Sequence, residues 1–258
     1  EMYTLICEEF VSFGGVYVKF LQGVMLRSEM MRRWNSDNKL RIFEDLDSEP
    51  LDIARIMQQE LAPDKLKNIS LVQPVPFAAG SFGQVYYGQL RDGTPVIIKI
   101  LRPMISELLR YDLKLLTMFS KYFFMKLYKN MDMNLDQAFL DFKNATLRET
   151  DYIHEAEFAS ELYDYYKDNE SIFIPKTYIE LCTKNMIVQE YVDGMSLAHV
   201  VKMHEKGVDP CEYVLEQTGS DLALQLETFG YENIMAIFKA PRVQGDPHPG
   251  NIKLMKNN

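Results

Sequence analysis

Cysteine is scarce in this sequence: Cys7, Cys182 and Cys211 are the only three, far apart and odd in number. No Cys-x-x-Cys pair occurs, which speaks against a zinc site and against a disulfide framework, and a reducing compartment fits best. Positive charge is also in deficit, with a net charge of -9 and a pI near 5.1. That balance argues against a nucleic-acid binder working through a broad basic surface, while a local basic patch on a membrane-facing side stays open. No uninterrupted apolar run approaches the roughly 20 residues of a membrane span. The longest, from Phe10 to Leu26, is broken by Lys19. The start, Glu1-Met2 with Glu8 and Glu9 following, has neither the basic opening nor the small-residue cleavage site of a signal peptide. Asn-x-Ser/Thr triplets at Asn68, Asn144 and Asn169 are therefore read as chance. Gly/Ser linkers, low-complexity tracts and clear internal repeats are missing as well.

What is present is an ordinary globular composition, 47% hydrophobic and 25% charged over 258 residues, enough for one large domain or two lobes. Residues 3–61 read as helical, with Phe10, Phe13, Tyr17, Phe20, Leu21, Val24 and Met25 at helical spacing. A second helical patch over residues 51–61 follows Ser48-Glu49-Pro50. From Ile69 the texture turns to short strands. Gln84 to Leu90 alternates, Arg91-Asp92-Gly93 signals a hairpin, and Thr94 to Leu101 returns. Residues 104–166 are predicted helical. Within them, Ile105 to Tyr128 is amphipathic, and its Lys121, Lys126 and Lys129 stand near Tyr122, Phe123, Phe124 and Met125. A core helix with snorkelling lysines is favoured there over a lipid-facing one. Phe173-Ile174-Pro175 and Met186 to Glu190 read as strands, and Met195 through Phe238 as helix.

Two stretches carry chemistry. The first is the turn Ala78-Ala79-Gly80-Ser81-Phe82-Gly83-Gln84-Val85, followed by Lys99 at the end of Val96-Ile97-Ile98-Lys99. Gly80 and Gly83 let backbone N–H groups approach phosphate oxygens, and Lys99 would add an ammonium. Alone, the turn would be an ordinary hairpin and the lysine an ordinary surface residue. A cleft lysine needs an anionic partner, and Glu155 on a predicted helix is the candidate. The second stretch is Gly245-Asp246-Pro247-His248-Pro249-Gly250-Asn251. Its Asp and Asn have the spacing of a kinase catalytic loop, in which the Asp accepts the acceptor hydroxyl proton and the Asn holds a metal ion on the phosphates. The prolines stiffen the loop, and His248 is read as structural. The two stretches in this order point to a nucleotide site.

These residues resemble the UbiB-type atypical kinase family, the kinase-like proteins associated with coenzyme Q synthesis. Lys19-Phe20-Leu21-Gln22 is similar to the family's Lys-x-Gly-Gln motif, and residues 78–85 to its alanine-rich loop. Lys99 matches the nucleotide lysine, Glu149-Thr150-Asp151 the Glu-x-Asp motif, and Asp246 to Asn251 the catalytic loop. Lys99 and Glu155 stand 56 positions apart, a separation this family reaches by inserting helices. Leu21 stands where the family has glycine, and Gly80 where it has alanine. The family's Asp-Phe-Gly metal segment falls beyond Asn258, so the sequence is expected to be a piece of a longer protein.

The resemblance implies an α+β, protein-kinase-like fold: a small antiparallel-sheet lobe and a helical lobe, with an N-terminal helical extension. The expected divisions are an extension over 1–68, a kinase-like N-lobe with a helical insert over 69–190, and a partial C-lobe over 191–258. It implies ATP and Mg²⁺ as cofactors. Ala78, Ala79, Gly80, Ser81, Phe82, Gly83, Val85, Lys99, Glu190 and Val192 would bind nucleotide. Lys99, Glu155 and Asp246 would be catalytic, and Asn251 the metal ligand. Lys19, Gln22, Glu149 and Asp151 would cover the cleft, with Lys19 paired to Glu149, where a protein substrate would otherwise dock. The implied activity is ATP hydrolysis or phosphotransfer supporting ubiquinone or isoprenoid-lipid metabolism. Expected partners are ATP, a quinone or isoprenoid lipid and a membrane surface, with no nucleic acid. The expected location is cytoplasmic and peripheral to the inner membrane, or the inner side of a mitochondrion or plastid. Two other readings stay open. One is a small-molecule phosphotransferase of the aminoglycoside or choline kinase type, which shares the Gly-Asp-x-His loop. The other is a pseudokinase scaffold binding lipid or a complex through the helix around Tyr122 to Tyr128.

Overall fold

The computed structural model describes residues 2–13, 15–23, 49–80, 82–127, 135–243 and 249–256. The chain divides into two compact units. The first comprises residues 1–155 and 180–188, the second 156–179 and 189–258.

In the first unit, α1 (Met2–Phe13) and α2 (Gly15–Gly23) are joined at a left-handed Gly15, φ +48°. A short α3 (Ile53–Glu60) is capped by Asp52, whose carboxylate accepts the Arg55 N–H at 3.1 Å. One further turn, α4 (Pro63–Leu66), leads to β1 (Ile69–Val72), β2 (Ala78–Ala79), β3 (Gly83–Leu90) and β4 (Pro95–Leu101). Then come α5 (Ile105–Leu127), α6 (Leu135–Arg148) and α7 (Tyr152–Tyr166), with β5 (Met186–Glu190) returning as a sheet strand. The sheet order is β1-β3-β4-β5, with β2 also on β3. The pairs β1–β3, β2–β3 and β3–β4 are antiparallel.

Alternation along β3 and β4 decides what the sheet buries. Gln84, Tyr86 and Leu90 of β3, and Val96, Ile98 and Ile100 of β4, face the core. Gln84 is a buried polar residue with full employment. Its amide donates to the Glu49 carbonyl at 2.9 Å and its oxygen accepts the Leu51 N–H at 3.2 Å, so it secures the segment entering α3. Glu60, at the far end of α3, accepts from Thr183 Oγ1 at 2.5 Å and from the Asn185 amide at 2.9 Å in the turn before β5. α3 is thus fastened to the sheet at both ends.

The N-terminal helices pack on the helices inserted after β4. Phe10 of α1, Phe20 of α2, Phe119 of α5, and Phe139 and Phe142 of α6 form one aromatic cluster, with ring centroids 5.3–6.3 Å apart. Leu21 is wholly buried. A side chain where the resembled family has glycine is therefore absorbed into this core. The Tyr17 hydroxyl donates to Asp112 of α5 at 3.0 Å, and burial together with that carboxylate pushes its pKa up to about 12.

The second unit contains most of α7 and the chain from residue 189 onward. Its elements are β6 (Met195–Ser196), α8 (Leu197–Glu205), α9 (Pro210–Thr218), α10 (Leu222–Lys239), a 3₁₀ turn (Pro249–Asn251) and β7 (Lys253–Leu254). β6 pairs with β7 antiparallel, Met195 opposite Leu254 and Ser196 opposite Lys253. Val200, Val214, Leu222 and Leu254 make one core, and Leu162, Tyr166 and Ala236 a second.

Two sequence expectations are corrected here. The single helix from Met195 to Phe238 is a short strand and three helices. Gly207 (φ +85°) and the Asp209 cap with Pro210 make the first break, and left-handed Gly219 (φ +72°) with the Asp221 cap makes the second. Phe173-Ile174-Pro175 is not a strand. Ile172 and Ile174 pack against the Leu162 core as irregular chain, and Pro175 has no N–H to offer a ladder. The helical expectation for 104–166 holds for α5, α6 and α7, with a turn at Glu149-Thr150.

Candidate functional site

The hairpin β2–β3 is closed by a Gly80 N–H to Gly83 carbonyl bond of 2.9 Å. Its far side is held to β4's exit, where the Arg102 N–H donates to the Phe82 carbonyl at 2.8 Å and its guanidinium to the Gly80 carbonyl at 3.3 Å. Gly83 is required by close packing: a methyl group there would lie 2.5 Å from the Ile100 carbonyl oxygen and 2.9 Å from the Tyr152 hydroxyl. Gly80 has open space, with nothing nearer than 3.9 Å.

Register places Ala78 opposite Val85 and Val85 opposite Lys99. Directly opposed residues share a face, so these three form one row across β2, β3 and β4. Lys99 Nζ donates to both Glu155 oxygens, at 2.9 and 3.1 Å, and lies 4.7 Å from the Tyr152 ring centroid. Tyr152 is buried against this pair. Burial first, and then the charges of Glu155 and Glu149, push its hydroxyl far above the ordinary tyrosine range, so it stays neutral.

Lys19, on α2, forms an ion pair with Glu149 and lies 4.4 Å from the ring centroid of Phe82. Phe82 is itself buried in the loop. The α6–α7 turn therefore supplies a partner to each lysine, Glu149 before α7 and Glu155 one turn into it. Asp151, expected alongside Glu149, lies 4.0 Å from Lys184. The Gln22 side chain, Ser81, Asp246 and His248 lie outside the described residues.

The remaining expected residues belong to the second unit. The Glu190 carboxylate accepts the Lys176 N–H at 3.3 Å. The Val192 carbonyl accepts from Lys253 Nζ at 2.7 Å. Asn251 ends the 3₁₀ turn, exposed. Among the described residues no group of three or more His, Cys, Asp or Glu could hold a metal ion. No described helix is long and apolar enough to cross a membrane.

Three residues of this arrangement were not singled out from the sequence. Tyr152 could have been found, since it lies between Asp151 and Glu155 on the helix that carries the lysine's partner. Arg102, just past β4, bonds backbone carbonyls, and nothing in its neighbours signals that. Lys253 is similar, because its partner is a carbonyl 61 residues away.

The ABC1 atypical kinase-like domain matches residues 43–258. The chain is 27% identical over its whole length to the chloroplastic Activity of bc1 complex kinase 1 of Arabidopsis thaliana, of which it spans 36%. It is 25% identical, over 93% of its length, to the probable protein kinase UbiB of Erwinia tasmaniensis, of which it spans 42%. It thus covers about two fifths of these relatives. Among solved structures, the Rv3197–erythromycin complex from Mycobacterium tuberculosis superposes with a TM-score of 0.63 at 21% identity, covering 98% of this chain and 60% of that one. That likeness concerns the fold, which is α+β and kinase-like. The chain belongs to the ABC1 atypical kinase-like family.

Proposed function

We propose that this chain is the nucleotide-binding portion of an atypical kinase that hydrolyses ATP or transfers its phosphoryl group. The reading rests on one observation above the others, the two-oxygen ion pair between Lys99 and Glu155 beside a glycine hairpin. An ammonium fixed by a carboxylate on one side and an aromatic face on the other is preorganised to meet a polyphosphate. In this reading the backbone of Ala78 to Gly83 and the side chain of Val85 border the nucleotide, and Glu190 and Val192 supply backbone groups to its base. Asp246 orients or deprotonates the acceptor.

Mg²⁺ fits as a guest of the nucleotide. It takes few protein ligands and fills its shell with phosphate oxygens and water. Asn251 offers one hard amide oxygen, and the described residues hold no separate metal cluster. When bound, the ion would neutralise charge developing on the phosphates. Lys19, Glu149, Gln22 and Asp151 are assigned to covering the cleft against protein substrates. The acceptor in this reading is small or lipid-linked, in ubiquinone or isoprenoid-lipid metabolism, at the inner membrane surface or its organellar equivalent.

The test is thermal unfolding with and without Mg-ATP. At a hundred dissociation constants of free ligand the native state gains about 2.7 kcal/mol. Loss of that shift in Lys99→Ala supports the reading, and an equal shift in the variant refutes the role of Lys99.

A second reading, a lipid-binding pseudokinase scaffold, is favoured by α5. Leu108, Tyr111, Leu115 and Met118 form an exposed apolar stripe along it, and such faces mark interaction surfaces. The side chains around Tyr122 to Tyr128 lie outside the described residues. Liposome co-sedimentation that survives Lys99→Ala with Asp246→Asn, without any ATP turnover, would support it.

A further inference from the structure

Lys99 and Glu155 stand on different elements, β4 and the first turn of α7, and their ion pair is too weak to hold those elements in place. Both side chains are long and more than a third exposed, 36% and 38%, and ion pairs open to solvent contribute little on their own. The pair therefore forms or fails according to how β4 and α7 are held elsewhere. The turn before β5 does that holding. Its Lys184 carbonyl accepts the Tyr152 N–H at 3.1 Å, and its Asn185 carbonyl accepts the Leu101 N–H at 2.9 Å. Tyr152 is the first residue of α7, where N–H groups lack intrahelical partners, so the Lys184 carbonyl fixes where the helix begins. The same bond brings the Tyr152 ring to its place, its centroid 4.7 Å from Lys99 Nζ. Leu101 is the last residue of β4, two positions past Lys99. Two consecutive carbonyls thus set the spacing between the lysine's strand and the glutamate's helix turn.

Glu60 locks this turn. Its two carboxylate oxygens accept from Thr183 Oγ1 at 2.5 Å and from the Asn185 amide at 2.9 Å, one on each side of Lys184. Thr183 Oγ1 in addition accepts the Asn185 N–H at 3.2 Å. Every residue on this path belongs to the first unit. We propose that Glu60 is a positioning residue of the nucleotide site: through the 183–185 turn it holds β4 and α7 at the spacing that lets Lys99 meet Glu155. The proposal rests on the nucleotide reading above and needs only its phosphate-facing lysine. A carboxylate suits the place because its separate oxygens accept two bonds at once. Without it a hydroxyl and an amide must find other partners, and the turn is free to shift. A misplacement of about 1 Å, even one caused far from the chemistry, can cost a preorganised site about a hundredfold.

The experiment titrates Mg-ATP against the wild type, Glu60→Ala, Glu60→Gln, Glu155→Gln and the double variant Glu60→Ala with Glu155→Gln. Circular dichroism establishes that each is folded at the titration temperature. Glu60→Ala is expected to raise the dissociation constant at least about tenfold. Glu60→Gln can keep both bonds, its oxygen on the Asn185 amide and its nitrogen on the Thr183 oxygen, and should stay within about threefold of the wild type. In the Glu155→Gln background, Glu60→Ala should add less than about threefold, because the pair it acts through is already weakened. A folded Glu60→Ala protein with wild-type affinity would overturn the proposal. So would a loss of affinity that is equal with and without the Glu155 carboxylate, the pattern of a general loosening. A Glu60→Gln protein as weak as Glu60→Ala would replace positioning with a charge effect and overturn it too. If Glu60→Ala does not fold, Thr183→Val, which removes one of the two bonds, takes its place alone and with Glu155→Gln under the same criteria. No response to Mg-ATP in the wild type would overturn the nucleotide reading and this proposal with it.

Discussion

Gly83 and Gly80 stand in one hairpin, yet alanine should have opposite effects at the two. At Gly83 the added carbon would rest 2.5 Å from the Ile100 oxygen and 2.9 Å from the Tyr152 hydroxyl. A carbon in ordinary contact needs about 3.5 Å, so roughly 1 Å must be found. Neither obstacle yields easily. The Ile100 carbonyl belongs to β4, the central strand on which β3 is zipped, and Tyr152 is buried. Overpacking of this kind costs about 1–3 kcal/mol. The strain also falls on the ring that faces Lys99, so under the proposed function nucleotide affinity should fall together with stability. At Gly80 the nearest atom lies 3.9 Å from the new carbon and φ is not in the left-handed region. Alanine there restricts the unfolded chain without a clash, and should be neutral or stabilising by about 0.4–1 kcal/mol. Urea unfolding of the two variants at equal slope gives the comparison directly. A Gly83→Ala protein within about 0.5 kcal/mol of the wild type would refute the packing argument.

Three further outcomes are expected. Leu21→Ala empties a fully buried site on α2 and should cost about 2–5 kcal/mol by denaturant unfolding. A much smaller loss would mean that the helix packet closes over the gap. Glu60→Ala strands the Thr183 hydroxyl and the Asn185 amide; it should cost about 1–3 kcal/mol and raise amide exchange at Thr183 to Met186 first. Burial pushes the Cys182 thiol up to about 11 from the ordinary 9.0. The unfolded chain therefore releases that proton first. Stability is whole below pH 9 and falls as pH rises through 11, by at most about 1.4 kcal/mol per pH unit. Cys182→Ala should flatten that slope between pH 9 and 10, and an unchanged slope would show that other groups carry it.

Local patterns were enough to read β3, β4, α7 and the likeness of fold. Alternating residues, a tight Arg-Asp-Gly turn and apolar spacing each act within a few positions. The breaks in 195–238 were also written locally, in Gly207, Asp209-Pro210, Gly219 and Asp221, but the surrounding apolar periodicity obscured them. Phe173-Ile174-Pro175 misled for the opposite reason. Its residues favour strands, while a hydrophobic core took Ile172 and Ile174 without needing their backbone. Gln84 looked like part of a phosphate turn. The alternation of β3 turns it inward instead, where burial obliges it to find backbone partners around Glu49 and Leu51. The partners of Arg102 and Lys253 are carbonyl groups, which every residue has, so sequence gives no sign of them.

The clamp at Glu60 has a temporal side. Its two bonds span 123 and 125 residues, and the Lys19–Glu149 pair spans 130. During synthesis α3 emerges long before the turn that anchors its end. At about 5–20 residues per second the wait is roughly 6–25 s, far beyond the microseconds in which a helix forms or melts. The face of α2 that packs on Phe139 and Phe142 therefore lacks those partners on the nascent chain for most of that interval. Whatever shields Phe20 from other chains in those seconds bears on how much of this protein reaches its folded state.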